Sequence, residues 1–104
     1  MSTAQETLFE KYRLLLDSPP GKWLNTAGEV CYTYMEDGLS ICLYLDEADR
    51  RCINLYKIDE DGAVRNSILI REDSSKDIFD QFFNLYNKLK TKVDDERYSL
   101  LMAS

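Results

Sequence analysis

The spacing of apolar residues changes period twice along the chain. Leu8, Phe9, Tyr12, Leu15 and Leu16 recur at the three-and-four spacing that gathers side chains on one face of an α-helix. Thr3 with Glu6 has the form of a capping box, which satisfies backbone N–H groups that the first helical turn leaves unpaired. Asp17-Ser18-Pro19-Pro20-Gly21 ends that segment, because proline lacks an amide hydrogen and biases its predecessor away from the helical region. Trp23 and Leu24 follow as an apolar anchor. From Glu29 the period becomes two, and strands are predicted over 29–35, 39–45, 51–58 and 63–71, each rich in β-branched, aromatic or aliphatic residues. Glu36-Asp37-Gly38 and Asp59-Glu60-Asp61-Gly62 both offer Asp-Gly, the pair suited to a hairpin turn, and Asp46-Glu47-Ala48-Asp49-Arg50 is a longer polar connection. The last helix is predicted to start at Asp73-Ser74-Ser75, where Ser74 and Asp77 repeat the capping-box spacing. Phe79, Phe82, Tyr86, Leu89 and Val93 form its stripe, widened by Ile78 and Leu85, and residues 94–104 either continue it or form a separate short helix.

Short loops between successive strands imply antiparallel neighbours, so the expected fold is one α+β domain over 1–104. It is a four-stranded antiparallel meander with N-terminal and C-terminal helices packed on one face. Leu39, Ile41, Leu43 and Leu45 share one side of the second strand and belong to the core, since successive side chains alternate across a sheet. The opposite, open face then carries Cys42 and Tyr44. From the first strand it takes either Tyr32 and Tyr34 or Cys31, Thr33 and Met35, and from the third Tyr56 or its alternates, because the weak alternation of both strands leaves their register open. Tyrosines there make an adhesive surface, having large contact area, a polar tip and little rotamer entropy to lose. Strand preference alone is the competing reason for tyrosine at such positions.

The chain has 104 residues and a formal charge of −6, from 13 basic and 19 acidic side chains. Phosphate contacts require clustered Lys and Arg, so direct nucleic-acid binding is not expected, and neither is an anionic membrane. Residues 29–62 hold nine acids and three bases, while the segments on either side are each neutral, so the whole net charge lies in the first three predicted strands and their turns. In a meander the first and third turns share one end of the sheet, which predicts an acidic rim of Glu36, Asp37, Asp59, Glu60 and Asp61. Such a rim steers a basic partner, although turn-forming and solubilising roles account for acidic turns as well. Calcium binding of the helix-loop-helix type is excluded, because a loop starting at Asp59 has Ile70 where the bidentate Glu is required.

The chain has no histidine, no Gly-rich phosphate loop and no C-x-x-C pair, so neither a cofactor nor a metal is expected. Carboxylate chemistry built from acids such as Glu29, Asp46 and Asp49 is the one enzymatic reading left. Cys31, Cys42 and Cys52 are odd in number and are expected to be free thiols, and with no apolar run or leader-like start the expected compartment is the cytoplasm. The functional expectation is therefore a non-enzymatic module that occupies a partner protein's surface, with a homodimer as a further possibility. Its candidate contact residues are Tyr32, Tyr34, Tyr44 and Tyr56 with the five acids of the rim. An acidic decoy for a nucleic-acid-binding protein is the alternative. The order helix, four strands, helix on an acidic, histidine-free chain is similar, at the level of class only, to small bacterial or phage accessory proteins such as secretion chaperones, immunity proteins and inhibitors.

Overall fold

The computed structural model describes residues 3–17, 22–26 and 30–103. The elements run α1 (Ala4–Leu16), β1 (Trp23–Thr26), β2 (Cys31–Tyr34), β3 (Leu39–Leu45), β4 (Arg51–Ile58), β5 (Val64–Arg71) and α2 (Lys76–Met102). The sheet is an antiparallel meander in the order β1-β2-β3-β4-β5, so the α+β architecture has five strands rather than four. The added strand is the Trp23 segment. Its four residues are too few to display an alternation, yet Trp23 both pairs with Tyr34 and is buried in the core. The bounds of β3 and β4 match the sequence reading, and β2 and β5 begin at Cys31 and Val64. The Pro19-Pro20-Gly21 connector and Glu29 lie outside the described residues.

At the start of α1 the Thr3 hydroxyl accepts the Glu6 amide hydrogen at 3.1 Å, one of the two bonds of a capping box. The second capping box does not form. Ser74 lies inside a turn closed by the Ser75 amide donating to the Arg71 carbonyl at 3.0 Å, which moves the N-cap to Ser75, whose side chain makes no capping bond. From there α2 runs unbroken through Asp94-Asp95-Glu96 to Met102. It is long but polar on one side, and no helix among the described residues is long and apolar enough to cross a membrane. Its buried stripe of Phe79, Phe82, Leu85, Tyr86, Leu89 and Val93 covers the sheet; past Val93, Arg97 still reaches Asn25 of β1 at 3.2 Å, while Tyr98, Leu100, Leu101 and Met102 are 66–79 % exposed.

Both helices lie on the side of Ile41, Ile53, Leu55 and Ile70. The rings of Phe9 and Tyr12 meet Phe82 edge to face at 5.3 and 5.8 Å, and the Trp23 indole N–H donates to the Leu15 carbonyl at 3.0 Å. Lys92 donates to the Leu16 carbonyl, so the C-terminal end of α1 is held by both β1 and α2. Arg51 lies 4.5 Å over the Phe83 ring and pairs with Glu72, covering the core where α2 begins.

Two sequence expectations are overturned by the β2–β3 register, in which Tyr34 faces Leu39 and Tyr32 faces Ile41. Tyr32 and Tyr34 therefore share the helix-covered side with those residues and are only 2 % and 7 % exposed, so they are core and not part of an open contact surface. The same register sets Cys31 directly opposite Cys42, and the two form a disulfide. This pair does not exchange ladder hydrogen bonds, since the Leu43 amide bonds the neighbouring Val30 carbonyl at 3.2 Å, and side chains approach most closely at such pairs. Only Cys52 is a free thiol, and it is buried.

Candidate functional site

The side of the sheet away from the helices is built in rows fixed by the register. Leu24, Thr33, Ser40 and Tyr56 form one row; Thr26, Cys31, Cys42, Asn54 and Leu69 form the next; Tyr44, Cys52 and Arg71 form a third. Large side chains stand at the borders: Leu24, Met35, Tyr44 and Leu69 are 40–53 % exposed. Between them the floor is made of small groups, with Thr33, Ser40, Cys31, Cys42 and Cys52 all buried. Tyr56 is half-buried. It sits opposite Ser40 while its hydroxyl lies 3.2 Å from Cys42 Sγ, so its ring crosses diagonally from β4 onto β3 and helps close the floor.

The polar groups of this floor satisfy one another. Ser40 Oγ–H donates to the Gly38 carbonyl at 3.0 Å, and each hydroxyl has one proton, so the 2.9 Å contact with Thr33 is a bond that Thr33 donates. The 3.2 Å contact between Thr26 and Thr33 is then donated by Thr26. Proton counting thus gives one directed chain, Thr26 to Thr33 to Ser40 to Gly38. Alongside it Ser67 donates to Asn54 Oδ1 at 2.8 Å. Among the described residues no buried side-chain polar atom lacks a partner.

At one end of the face the β2–β3 and β4–β5 turns adjoin. Glu36, Asp37, Asp59 and Glu60, with Met35 and Thr33, line a hollow of about 620 Å³, so the acidic rim is assembled much as the meander implied, with Asp61 in the same turn. Its charge is smaller than the sequence implied. Glu36 pairs with Lys22 and accepts the Tyr34 hydroxyl at 3.2 Å, Asp59 pairs with Arg65 at 2.9 Å, and Asp37 accepts the Leu39 amide hydrogen at 3.0 Å. Asp37, Glu60 and Asp61 have no ion pair among the described residues. The ionic partners of Asp59 and Glu36 lie on β5 and just before β1, six and fourteen residues from these acids but outside residues 29–62, which is why charge counting by segment missed them.

The turn from Asp59 to Ala63 and the one from Asp46 to Arg50 share one construction. In each the aspartate Oδ1 accepts two amide hydrogens, from Asp61 and Ala63 at 3.0 Å in the first and from Ala48 and Arg50 at 2.9 and 3.0 Å in the second. The fourth residue has positive φ, 84° at Gly62 and 59° at Asp49. Asp46 and Asp49, the acids considered for carboxylate chemistry, are thereby turn-builders, and Asp46 further pairs with Arg50 and Arg71 at 3.3 and 3.4 Å.

These bonds make folding depend on acid. The Arg65 guanidinium holds the Asp59 carboxyl below its ordinary value, the Arg50 amide does the same for Asp46, and Lys22 does so for Glu36. A carboxylate whose folded value is depressed stabilises the fold above its unfolded pKa, and that contribution disappears as pH falls through the folded value. The thermal midpoint is therefore expected to be level from neutral pH down to about pH 5 and to fall below about pH 4, with a shallower fall in Asp59→Asn. A midpoint that falls equally in that variant, followed by circular dichroism, would remove Asp59 from the explanation.

The arrangement is a surface: apolar residues around a floor whose hydrogen bonds are already made, bordered at one end by carboxylates. No protein-family model, curated protein or solved structure matches the chain.

Proposed function

We propose that this chain is a non-enzymatic protein-binding module whose uncovered sheet face and acidic end occupy a basic-edged surface of a partner protein. The observation that carries the reading is the saturated floor. Covering a polar group that has no internal partner costs about 1–3 kcal/mol; the hydroxyls of Thr33 and Ser40 are already buried and bonded to each other, so a partner that covers the apolar border meets no such group there. Leu24, Met35, Tyr44 and Leu69 then supply the apolar contacts, and Tyr44 is the residue best suited to anchor them. Glu60 and Asp61 steer cationic groups towards the end of the face.

The paired state of Glu36 and Asp59 favours this reading over an acidic decoy, which needs a dense array of free carboxylates to stand in for phosphates. The cytoplasm is the compartment assumed here, where the Cys31–Cys42 pair meets a reducing thiol pool. The test is capture from native cells followed by titration of the captured protein. Tyr44→Ala combined with Leu69→Ala is expected to weaken binding at least about tenfold with the fold retained, while Leu14→Ala on the exposed side of α1 leaves it unchanged. Equal binding by the sheet variant would overturn the proposal. Binding that collapses as salt rises, to a protein that also binds nucleic acid, would replace it by the decoy. A two-chain mass in solution that the same variant reduces to one would replace the partner by a second copy.

A further inference from the structure

The central row of the open face contains a covalent bond whose two ends differ chemically. The Tyr56 hydroxyl is 3.2 Å from Cys42 Sγ, and a disulfide sulfur has no proton to give, so Tyr56 is the donor. Among the described residues Cys31 Sγ receives no hydrogen bond. The neighbours differ too. In the row, Cys31 has Thr26 on its outer side, at the end of the four-residue edge strand β1, whereas Cys42 is flanked by Asn54 and by the hydroxyl of Tyr56. We propose that Cys31–Cys42 is a site reduced by dithiols, at which the reductant attacks Cys31 and Cys42 departs as a thiolate held by the Tyr56 hydroxyl.

The step balances without another reactant. One thiolate of the dithiol bonds to Cys31 Sγ, the S–S bond breaks, and its electron pair leaves on Cys42, which then takes a proton. The second thiolate of the reductant attacks its own sulfur in that mixed disulfide and releases Cys31 as a thiolate, protonated in turn. The dithiol is oxidised to a disulfide, and the two cysteines are reduced. Thiol exchange is faster when the departing thiolate is stabilised, and Cys31 and Cys42 are equally covered at 6 % and 7 % exposure, so the donor on Cys42 selects the direction.

The third cysteine does not compete. Cys52 is opposite Tyr44 and therefore diagonal to Cys42, a relation that places Cα atoms roughly 7–8 Å apart, beyond the usual disulfide span. It is also fully buried, so exchange stays within the pair. If the open face is the contact surface proposed above, on which this one consequence rests, that surface has a bridged and an unbridged state, and β2 and β3 are cross-linked only in the first.

Kinetics on the isolated protein test the site. Air-purified chain, unfolded in maleimide, is expected to take one label, and three after dithiothreitol, from its three cysteines. Tyr56→Phe is expected to be reduced about tenfold more slowly than wild type, with Tyr44→Phe unchanged. A second measurement reads the direction at the bond itself: quenched with acid during reduction by a monothiol, the trapped mixed disulfide should map to Cys31 and leave Cys42 free. Three labels before reductant, equal reduction rates in Tyr56→Phe, or a mixed disulfide trapped on Cys42 would each overturn the assignment. None of these measurements involves a partner, so their failure leaves the contact reading standing. Amide exchange rising across β2 and β3 on reduction, with α2 unchanged, is the expected result for the face; no change there would remove the consequence for binding and keep the chemistry.

Discussion

Gly38→Ala is expected to destabilise the protein by roughly 3–5 kcal/mol, the sum of placing a side chain in the left-handed region and overpacking a backbone contact. Gly38 has φ 78° and is the ladder partner of Ile58, whose amide donates to the Gly38 carbonyl at 2.9 Å. A Cβ at Gly38 overlaps the Ile58 carbonyl oxygen and stands 3.0 Å from its carbonyl carbon. Neither atom belongs to a flexible side chain, so the β2–β3 turn must pull away from the end of β4. Gly62 is the matched control, with φ 84° but nothing within 4 Å of a Cβ, and Gly62→Ala should cost only about 1 kcal/mol. Denaturant midpoints of the two variants, side by side, separate backbone strain from collision; equal losses would show that the close approach to Ile58 is unimportant. Because Gly38 joins the two acidic turns and accepts the last bond of the hydroxyl chain, the same substitution should disturb the acidic hollow, which Gly62→Ala leaves in place.

That junction also explains which parts of the fold were legible. The stripes of α1 and α2 and the alternation Leu39, Ile41, Leu43 are strong periodic signals, and the Asp-Gly turns mark where the chain reverses. The register of β2 was not legible, because Cys31-Tyr32-Thr33-Tyr34 puts good strand formers on both faces and a shift of one residue exchanges them. One signal was available. Taking Met35 to Gly38 as the loop pairs Tyr34 with Leu39, which sends both tyrosines to the aliphatic side and Cys31 opposite Cys42. Loops one residue longer or shorter were equally compatible with the sequence, and each reverses the faces. Of the tyrosines considered for contact, Tyr44 stands exposed on the open face and Tyr56 lies across it, while the hydroxyl chain from Thr26 to Gly38 was invisible because its members come from three strands.

The rim shows the opposite pattern. Its position followed from topology alone, since alternate turns of a meander must share an end, but its strength did not. Lys22 and Arg65 fall just outside residues 29–62, and each offsets a carboxylate charge that a tally of that segment leaves in place. In the proposed reading, what remains for a partner is Asp37, Glu60 and Asp61 beside an apolar-bordered sheet, a surface better suited to specific contact than to bulk electrostatic attraction.

Tyr12→Ala is expected to cost about 3–5 kcal/mol and to release α1 before the rest of the molecule unfolds. Tyr12 is the one buried residue of that helix. It stacks near Trp23 at 6.4 Å, meets Phe82 edge to face, and donates its hydroxyl proton to the Ser40 carbonyl at 2.6 Å. Burial raises the phenol well above its ordinary value of 10.0, so the neutral form stabilises the fold below that pH and the contribution fades as pH climbs through the raised value. Tyr12→Phe isolates the hydrogen bond: it keeps the ring, removes one bond to the Ser40 carbonyl, and should cost about 0.5–1.5 kcal/mol. Amide exchange is the decisive readout. In Tyr12→Ala the amides of α1 should lose protection while those of β3 and β4 keep theirs, because the sheet retains the whole stripe of α2. If protection instead falls together in α1, β3 and β4, Tyr12 belongs to the central cooperative unit and Ser40 transmits its loss directly to the floor of the open face.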